Sequence, residues 1–345
     1  MQIVYSIVMK KLSKYIALLL LPALVVAAGC SKDKEDETKP YMYGSVTFDL
    51  PAYALRGQLL TLTASGIQHP SEVEYRWYAP SMAADSIRGT SVTLMVPDSI
   101  GSFTVTATAL ADGFYASSKM LQVSTIDTAR NTTLSGLKYR PASFFTDNRD
   151  GRTYATVRIG NLEWFAENLG YDGAGSPYMK ARAMQYLFGR FYTWDEATGG
   201  EEGSGLGGGP QGVCPEGWTI PTREDWEDFA TAISGAPSAF SADWDGVGEK
   251  ASADASFYGN RMWEYSPDNA HSNTFGWNGI PAGGSTMQHG VFRNSGKYGF
   301  WWSSSLKTDD QAWFRYIYFD RSTFPAGATN RNDFGANVRC VRVAR

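Results

Sequence analysis

Between residues 43 and 125 apolar and polar side chains alternate, and this period of two constrains the fold more tightly than any other feature of the chain. Gly44-Ser-Val-Thr-Phe-Asp-Leu50, Leu60-Thr-Leu-Thr-Ala64, Ser91-Val-Thr-Leu-Met-Val96, Ser102-Phe-Thr-Val-Thr-Ala-Thr-Ala109 and Lys119-Met-Leu-Gln-Val123 all carry it. Successive side chains of a strand face opposite sides, so strict alternation gives each strand one buried and one wet face. Breaks at Gly57, Gly66, His69-Pro70, Gly89, Pro97 and Asp112-Gly113 supply the turns. About five to seven strands at this spacing are a β-sandwich signature.

Glu74-Tyr-Arg-Trp-Tyr78 resembles the central strand of an immunoglobulin-like or PKD-like domain, with Trp77 between the sheets. No cysteine pair flanks it, so the resemblance is to the architecture and not to antibody domains. Such a sandwich binds carbohydrate or serves as a spacer; the spacer reading is preferred.

The beginning of the chain sets the compartment. Lys10, Lys11 and Lys14 precede an apolar run, Ile16 to Ala28, of 13 residues. A membrane-crossing helix needs about 20, so the run reads as the core of a signal peptide over residues 1–29. Val26-Ala-Ala-Gly-Cys30 resembles a lipobox, which implies acylation of Cys30 and a firm membrane anchor. Residues 30–42 form an acidic tether too poor in apolar groups to fold. Ser31-Lys-Asp-Lys-Glu-Asp-Glu37 resembles the export signal of Bacteroidetes lipoproteins, which places the protein on the outer membrane facing outward.

Cleavage before Cys30 removes three lysines and no acid, taking the formal charge from −4 to −7. That surface lacks the basic footprint that nucleic acid requires. With Cys30 lipidated, Cys214 and Cys340 remain, and outside the cytosol such a pair favours a disulfide. A catalytic or metal-bound thiol is the competing reading.

Ile126-Asp-Thr-Ala-Arg-Asn-Thr-Thr133 lacks periodicity, and residues 126–135 read as a linker. Asp127-Thr128-Ala129 resembles a three-residue O-glycosylation signal with Thr128 as acceptor; Asp85-Ser86-Ile87 and Asp98-Ser99-Ile100 are weaker matches.

Residues 136–345 carry a series of motifs in order. Asp150-Gly-Arg-Thr-Tyr154, Val157-Arg-Ile-Gly-Asn-Leu-Glu-Trp164 and Ala166-Glu-Asn-Leu169 form an opening strand pair. Phe188 to Ala197 and Cys214-Pro-Glu-Gly-Trp-Thr-Ile-Pro-Thr222 follow, then Phe275 to Gly284, Phe300-Trp-Trp-Ser-Ser-Ser305 and Asn337-Val-Arg-Cys-Val-Arg342. Together they resemble the Fibrobacter succinogenes major paralogous domain, a family placed with the C-type lectin-like fold. The expected fold class is therefore mostly β with an α+β part: an Ig-like sandwich followed by a C-type lectin-like domain. Thr222 should cap a helix that buries Trp226, Phe229, Ala230 and Ile233 and stops at Gly235. Gln311 to Asp320 is strand-like, and Val338, Cys340 and Arg342 alternate on a closing strand.

Between the capped helix and Trp301 lie about sixty-five residues rich in Gly, Asn, Ser and Asp, and ordered loops of that length are usually functional. In C-type lectin-like domains the corresponding region is the ligand platform. A sugar needs a flat apolar surface and paired hydrogen bonds, so Trp244, Trp263 and Tyr265, with Asp245 and Asn260, are the candidate ligand contacts. Sugar-binding C-type lectins hold calcium through Glu-Pro-Asn or Gln-Pro-Asp and a later Trp-Asn-Asp. Here Trp277-Asn278-Gly279 lacks the acid, so no cofactor is expected; Asp243 and Asp245 keep calcium possible. His69, His271 and His289 share no metal-ligand spacing, and no Gly-x-Ser-x-Gly or phosphate loop occurs. The expected function is non-catalytic capture of extracellular glycan by a surface lipoprotein; the alternative is an adhesin or assembly subunit that binds a protein partner.

Overall fold

The computed structural model describes residues 38–68, 72–79, 86–138, 143–234 and 243–344. Cys30, Gly235 and the His69-Pro70 break lie outside them. The protein is mostly β.

The alternating stretches all become strands: Tyr43–Thr47, Leu59–Thr63, Glu74–Tyr78, Ser91–Met95, Ser102–Leu110 and Ser117–Ile126. Along Ser102–Leu110 the inward residues are Phe103, Val105, Ala107 and Ala109, and the threonines between them face outward. One sheet runs in the order Tyr53–Leu55, Ser117–Ile126, Ser102–Leu110, Glu74–Tyr78, Ile87–Arg88. It shares a core with two two-stranded ladders, Tyr43–Thr47 with Ser65–Gln68 and Leu59–Thr63 with Ser91–Met95. Trp77 is fully buried at the centre of that core; its indole N–H donates to the Gly89 carbonyl at 2.9 Å. Phe48 meets it edge-on at 5.2 Å. A buried indole N–H is usually paired in this way.

The expected linker is a packed joint. Asp127 Oδ1 accepts from the Ala129 amide at 2.7 Å, and the Asp127 amide donates to Thr133 Oγ1 at 3.0 Å. These bonds fold the segment into the short helix Arg130–Thr133 and the strand Leu134–Ser135. Ile126 and Leu134 sink into a core that also takes Met184, Leu187, Phe188, Phe191 and Ile280, with Tyr53 and Leu55 of the first sheet packed against it. Asp127 also pairs with Arg56 at 2.9 Å. The missing periodicity reflected a turn stapled by its own side chains, and Tyr41–Arg345 forms one compact unit.

Beyond the joint, Thr153–Ile159 and Leu162–Phe165 make a hairpin flanked by Phe144–Thr146 and by the closing strand Val341–Val343. The opening and closing strands of this half therefore belong to one four-stranded sheet, at its two edges. Tyr298–Thr308, Gln311–Tyr318 and Ala326–Asn330 build a second sheet. Helix Arg223–Ser234 is capped reciprocally: Thr222 Oγ1 accepts from the Asp225 amide at 3.1 Å, and the Asp225 carboxylate accepts from the Thr222 amide at 2.8 Å. Its buried stripe is Trp226, Phe229, Ala230 and Ile233, as the spacing predicts.

The closing segment departs from the expected alternation. Ala336 to Val341 are all buried, and only Val341–Val343 is strand. The chain threads the interior here because the Arg339 side chain is bonded on several sides inside the core. Arg342 keeps its expected place on the strand and bonds Glu163 at 2.7 Å.

Cys214 and Cys340 form a disulfide, with Cα atoms 5.8 Å apart. It joins residues 126 positions apart, so its loss frees a long loop in the unfolded chain. Loop entropy gives roughly 4–5 kcal/mol for a closure of that length. A Cys214→Ser/Cys340→Ser double variant should lose at least 2 kcal/mol in urea denaturation followed by fluorescence; an unchanged midpoint would show that the bridge adds nothing.

Candidate functional site

The structure separates the five residues expected to meet a ligand. Trp244 and Trp263 are buried at 5% and 1% exposure, inside the tryptophan-rich core with Trp164, Trp226, Trp277 and Trp301. They therefore offer no stacking surface, which corrects the sequence-based expectation. The reason is the way the loop turns. Trp244 adopts a positive φ of 46° that directs its indole inward, and Trp263 stacks on His271 at 4.7 Å. Large aromatics gain most from removal from water. Asp245 is exposed in the turn that leads into helix Val247–Ala251. Asn260 and Tyr265 are exposed as well, and they belong to one neighbourhood, because the Arg261 guanidinium lies 5.7 Å from the Tyr265 ring.

That neighbourhood contains a cleft of about 260 Å³. Its walls include Tyr53 from the first sheet, Tyr178 and Phe188, and Phe257, Asn260, Arg261 and Met262 from the long loop; Pro281, Ser295 and Gly296 complete it. A two-residue hairpin presents the polar edge. Ser256–Phe257 pairs with Asn260–Arg261, and Tyr258 and Gly259 both have positive φ, at 49° and 75°. This is the turn geometry that matches strand twist. The hairpin in turn pairs with Leu134–Ser135, so the joint fixes its position. Tyr178 Oη and Ser295 Oγ share a hydrogen bond at 2.9 Å, and Arg261 Nε donates to Asp254 at 2.7 Å. Burial, then the neighbouring Tyr178, push the Tyr53 phenol above its usual pKa, so it remains a neutral hydrogen-bonding group.

The sequence pointed to Asn260 and to its neighbourhood, but not to Tyr53, Tyr178 or Ser295. Those three come from segments far apart in the chain, and no local pattern links them. A Tyr-Gly turn between short polar strands was the one signal that could have located the hairpin.

A larger cavity of about 640 Å³ opens beside the joint, between Thr128, Ala129 and Arg130 and the hairpin residues Arg152, Thr153 and Ala155. Thr128 is exposed at its edge.

A second constellation had no signature in the sequence. Ser285 Oγ and His289 Nδ1 are 2.7 Å apart, and His289 Nε2 lies 2.8 Å from Glu196 Oε2. The order serine, histidine, glutamate is that of an activated nucleophile. Ser285 is fully buried, however, and the strand residue Gly335 packs so closely that a Cβ there would sit 2.1 Å from its Oγ. No electrophile reaches that oxygen in this fold, so the chain ties Gly284–Thr286 and its hairpin to the helix Trp194–Thr198. Burial works against the Glu196 charge, but the bonds from His289 and Thr193 outweigh it and hold the carboxyl below its usual pKa. Among the described residues no group of three or more His, Cys, Asp or Glu side chains converges as a metal site.

His271 sits behind the cleft, buried against Trp263 and bonded to Ser252 at 2.8 Å. Burial, and then the Arg261 charge, depress its pKa to about 4. The fold thus prefers the neutral imidazole, whereas the unfolded chain protonates near 6.5. Stability from this residue is complete above pH 6.5 and is lost as pH falls from 6.5 toward 4, by about 3 kcal/mol in total. His271→Asn, which tolerates the local positive φ of 47°, should flatten the stability profile between those pH values. The check is the denaturation midpoint measured from pH 7 to pH 4; parallel profiles for the two proteins would contradict this.

No curated protein matches the chain. The profile of the Fibrobacter succinogenes major domain matches residues 157–342, which takes in most of the opening hairpin, the capped helix, the long loop and the closing segment. The match covers more than half of the chain, and the protein belongs to the Fibrobacter succinogenes major domain family.

Proposed function

We propose that the protein is a non-catalytic, lipid-anchored surface protein that captures extracellular glycan. The observation that supports this reading is the cleft beneath the Tyr258-Gly259 turn. Aromatic faces of Tyr53, Tyr178 and Phe257 meet the amide of Asn260, the guanidinium of Arg261 and the hydroxyl of Ser295 there. Apolar walls with a few convergent polar groups suit a sugar, whose CH face stacks while its hydroxyls bond. In this reading Cys30 carries the lipid, the acidic tether and an Ig-like sandwich raise the C-type lectin-like half from an outer membrane, and Thr128 is an O-glycan acceptor. The exposure of Thr128 fits such a modification.

The protein-binding alternative rests on the sandwich. Leu59 and Met95 are cross-strand partners, and each is 62% exposed. Paired apolar side chains on an open ladder suit a protein surface better than a sugar.

Calorimetry against a panel of neutral oligosaccharides, with and without calcium, tests the main reading. The expected result is saturable binding that weakens at least tenfold in Tyr178→Ala and in Asn260→Ala, with Leu59→Ser unaffected. No titration with any glycan, or undiminished binding by both cleft variants, would overturn it.

A further inference from the structure

The cleft beneath the Tyr258-Gly259 turn is lined mostly by apolar groups, and the chain itself uses up several of its polar ones. Tyr53, Tyr178, Phe257 and Met262 are half-buried along it, and the buried Met184 and Leu187 belong to the same lining. The Tyr178 and Ser295 hydroxyls bond each other at 2.9 Å. Arg261 donates its Nε to Asp254 at 2.7 Å, and that carboxylate balances its charge. No acid lines the cleft, so it presents no net charge to a ligand. Two polar groups remain, the Tyr53 phenol and the exposed Asn260 carboxamide, and neither side chain is tied to another group among the described residues.

These groups set what a sugar must bring. A ring clothed only in hydroxyls would press some of them against Phe257, Met262 and Tyr178, and a hydroxyl buried without a partner is costly. A carboxamide has an accepting oxygen and a donating NH2, so it pairs reciprocally with another amide. Asn260 and Phe257 are direct cross-strand partners in the two-residue hairpin, and residues directly opposite share a face. The free amide therefore stands beside an aromatic ring. An acetamido group matches that juxtaposition: it offers a neutral amide and, one bond away, a methyl with no polar demand. At about 260 Å³ the cleft falls just under the usual small-molecule range of roughly 300–1,000 Å³, which suits one sugar residue and not a chain.

We infer that the cleft recognises a single N-acetylated hexosamine residue, its acetamido amide paired with the Asn260 carboxamide and its methyl seated against Phe257 and Met262. The Tyr53 phenol then remains for one ring hydroxyl. The inference rests on the glycan reading of the cleft and narrows it to one class of sugar.

Calorimetry on the full chain with two matched pairs of probes decides the matter: N-acetylglucosamine against glucose, and N-acetylgalactosamine against galactose. In at least one pair the acetylated sugar should bind saturably and at least tenfold more tightly than its hydroxyl counterpart. Asn260→Asp, at an exposed position, removes the donating half of the carboxamide and should cut that preference at least tenfold with an unchanged melting temperature. Met262→Ser should lower affinity for the acetylated sugar and leave that for the plain sugar unchanged. Equal binding within both pairs, no heat with either acetylated sugar, or a preference kept in full by folded Asn260→Asp would overturn the inference. If other oligosaccharides of the neutral panel still bind in the cleft, only this inference falls; if no glycan binds at all, the glycan reading falls with it.

Discussion

Arg339 is the point on which the second half of the protein depends. Its side chain is fully buried and makes bonds in three directions. Nε donates to Asn168 Oδ1 at 2.7 Å, Nη1 to the carbonyls of Phe165 and Trp277, and Nη2 to that of Asn278 at 3.0 Å. The guanidinium also lies 4.1 Å from the Trp277 ring. Asn168 extends the network: its Oδ1 accepts from the Trp301 indole at 2.8 Å, and its Nδ2 donates to the Phe188 carbonyl at 2.8 Å. One charged side chain therefore gathers the opening hairpin, the long loop and the long strand Tyr298–Thr308, one residue before the disulfide cysteine. Removing a member of such a buried charged network costs about 3–5 kcal/mol, because the remaining groups stay desolvated and unpaired.

The network also explains how an irregular loop can hold the aromatic cleft. Residues 243–300 are largely irregular, and the side chain of Asn278 ties several of their turns together. Asn278 Oδ1 accepts from the Lys138 amide at 2.8 Å and from Asn273 at 2.7 Å, and the Gly279 amide reaches Ala251. Gly279 itself lies so close to the Trp277 ring that a Cβ there would be 3.0 Å from it. From this fixed stretch the chain runs directly into Pro281, a wall of the aromatic cleft, while Phe188 on the opposite side is tied to the same network through Asn168. Both walls of the cleft are thus held by one polar node.

Much of the fold was legible in the sequence, and particular residues show why. Alternation places the strands between residues 43 and 126 because its period is local. The spacing of Trp226, Phe229, Ala230 and Ile233, together with the Thr222 cap, specifies the helix in the same way. Cys214 and Cys340 pair as cysteine counting favours. The joint was not legible, because Asp127, Ala129 and Thr133 build it from side-chain bonds with no periodic pattern. The candidate site was readable only at Asn260 and Tyr265. Whether a tryptophan such as Trp263 faces a ligand or the core depends on partners like His271, and composition does not reveal the direction in which an indole points. The cavity around Arg130 combines residues of the joint with the Arg152 hairpin and Tyr186, a juxtaposition that exists only in three dimensions.

The hold of Arg339 on the long loop is tested most directly by amide hydrogen exchange in Arg339→Met. Five amides of residues 276–283 are hydrogen-bonded: Gly276, Asn278, Gly279, Ala282 and Gly283. With the network intact they should be well protected, and in the variant they should exchange at least tenfold faster, while the strand Ser102–Leu110 keeps its protection. Unchanged protection across 276–283 in the folded variant would show that the loop is held by something other than Arg339.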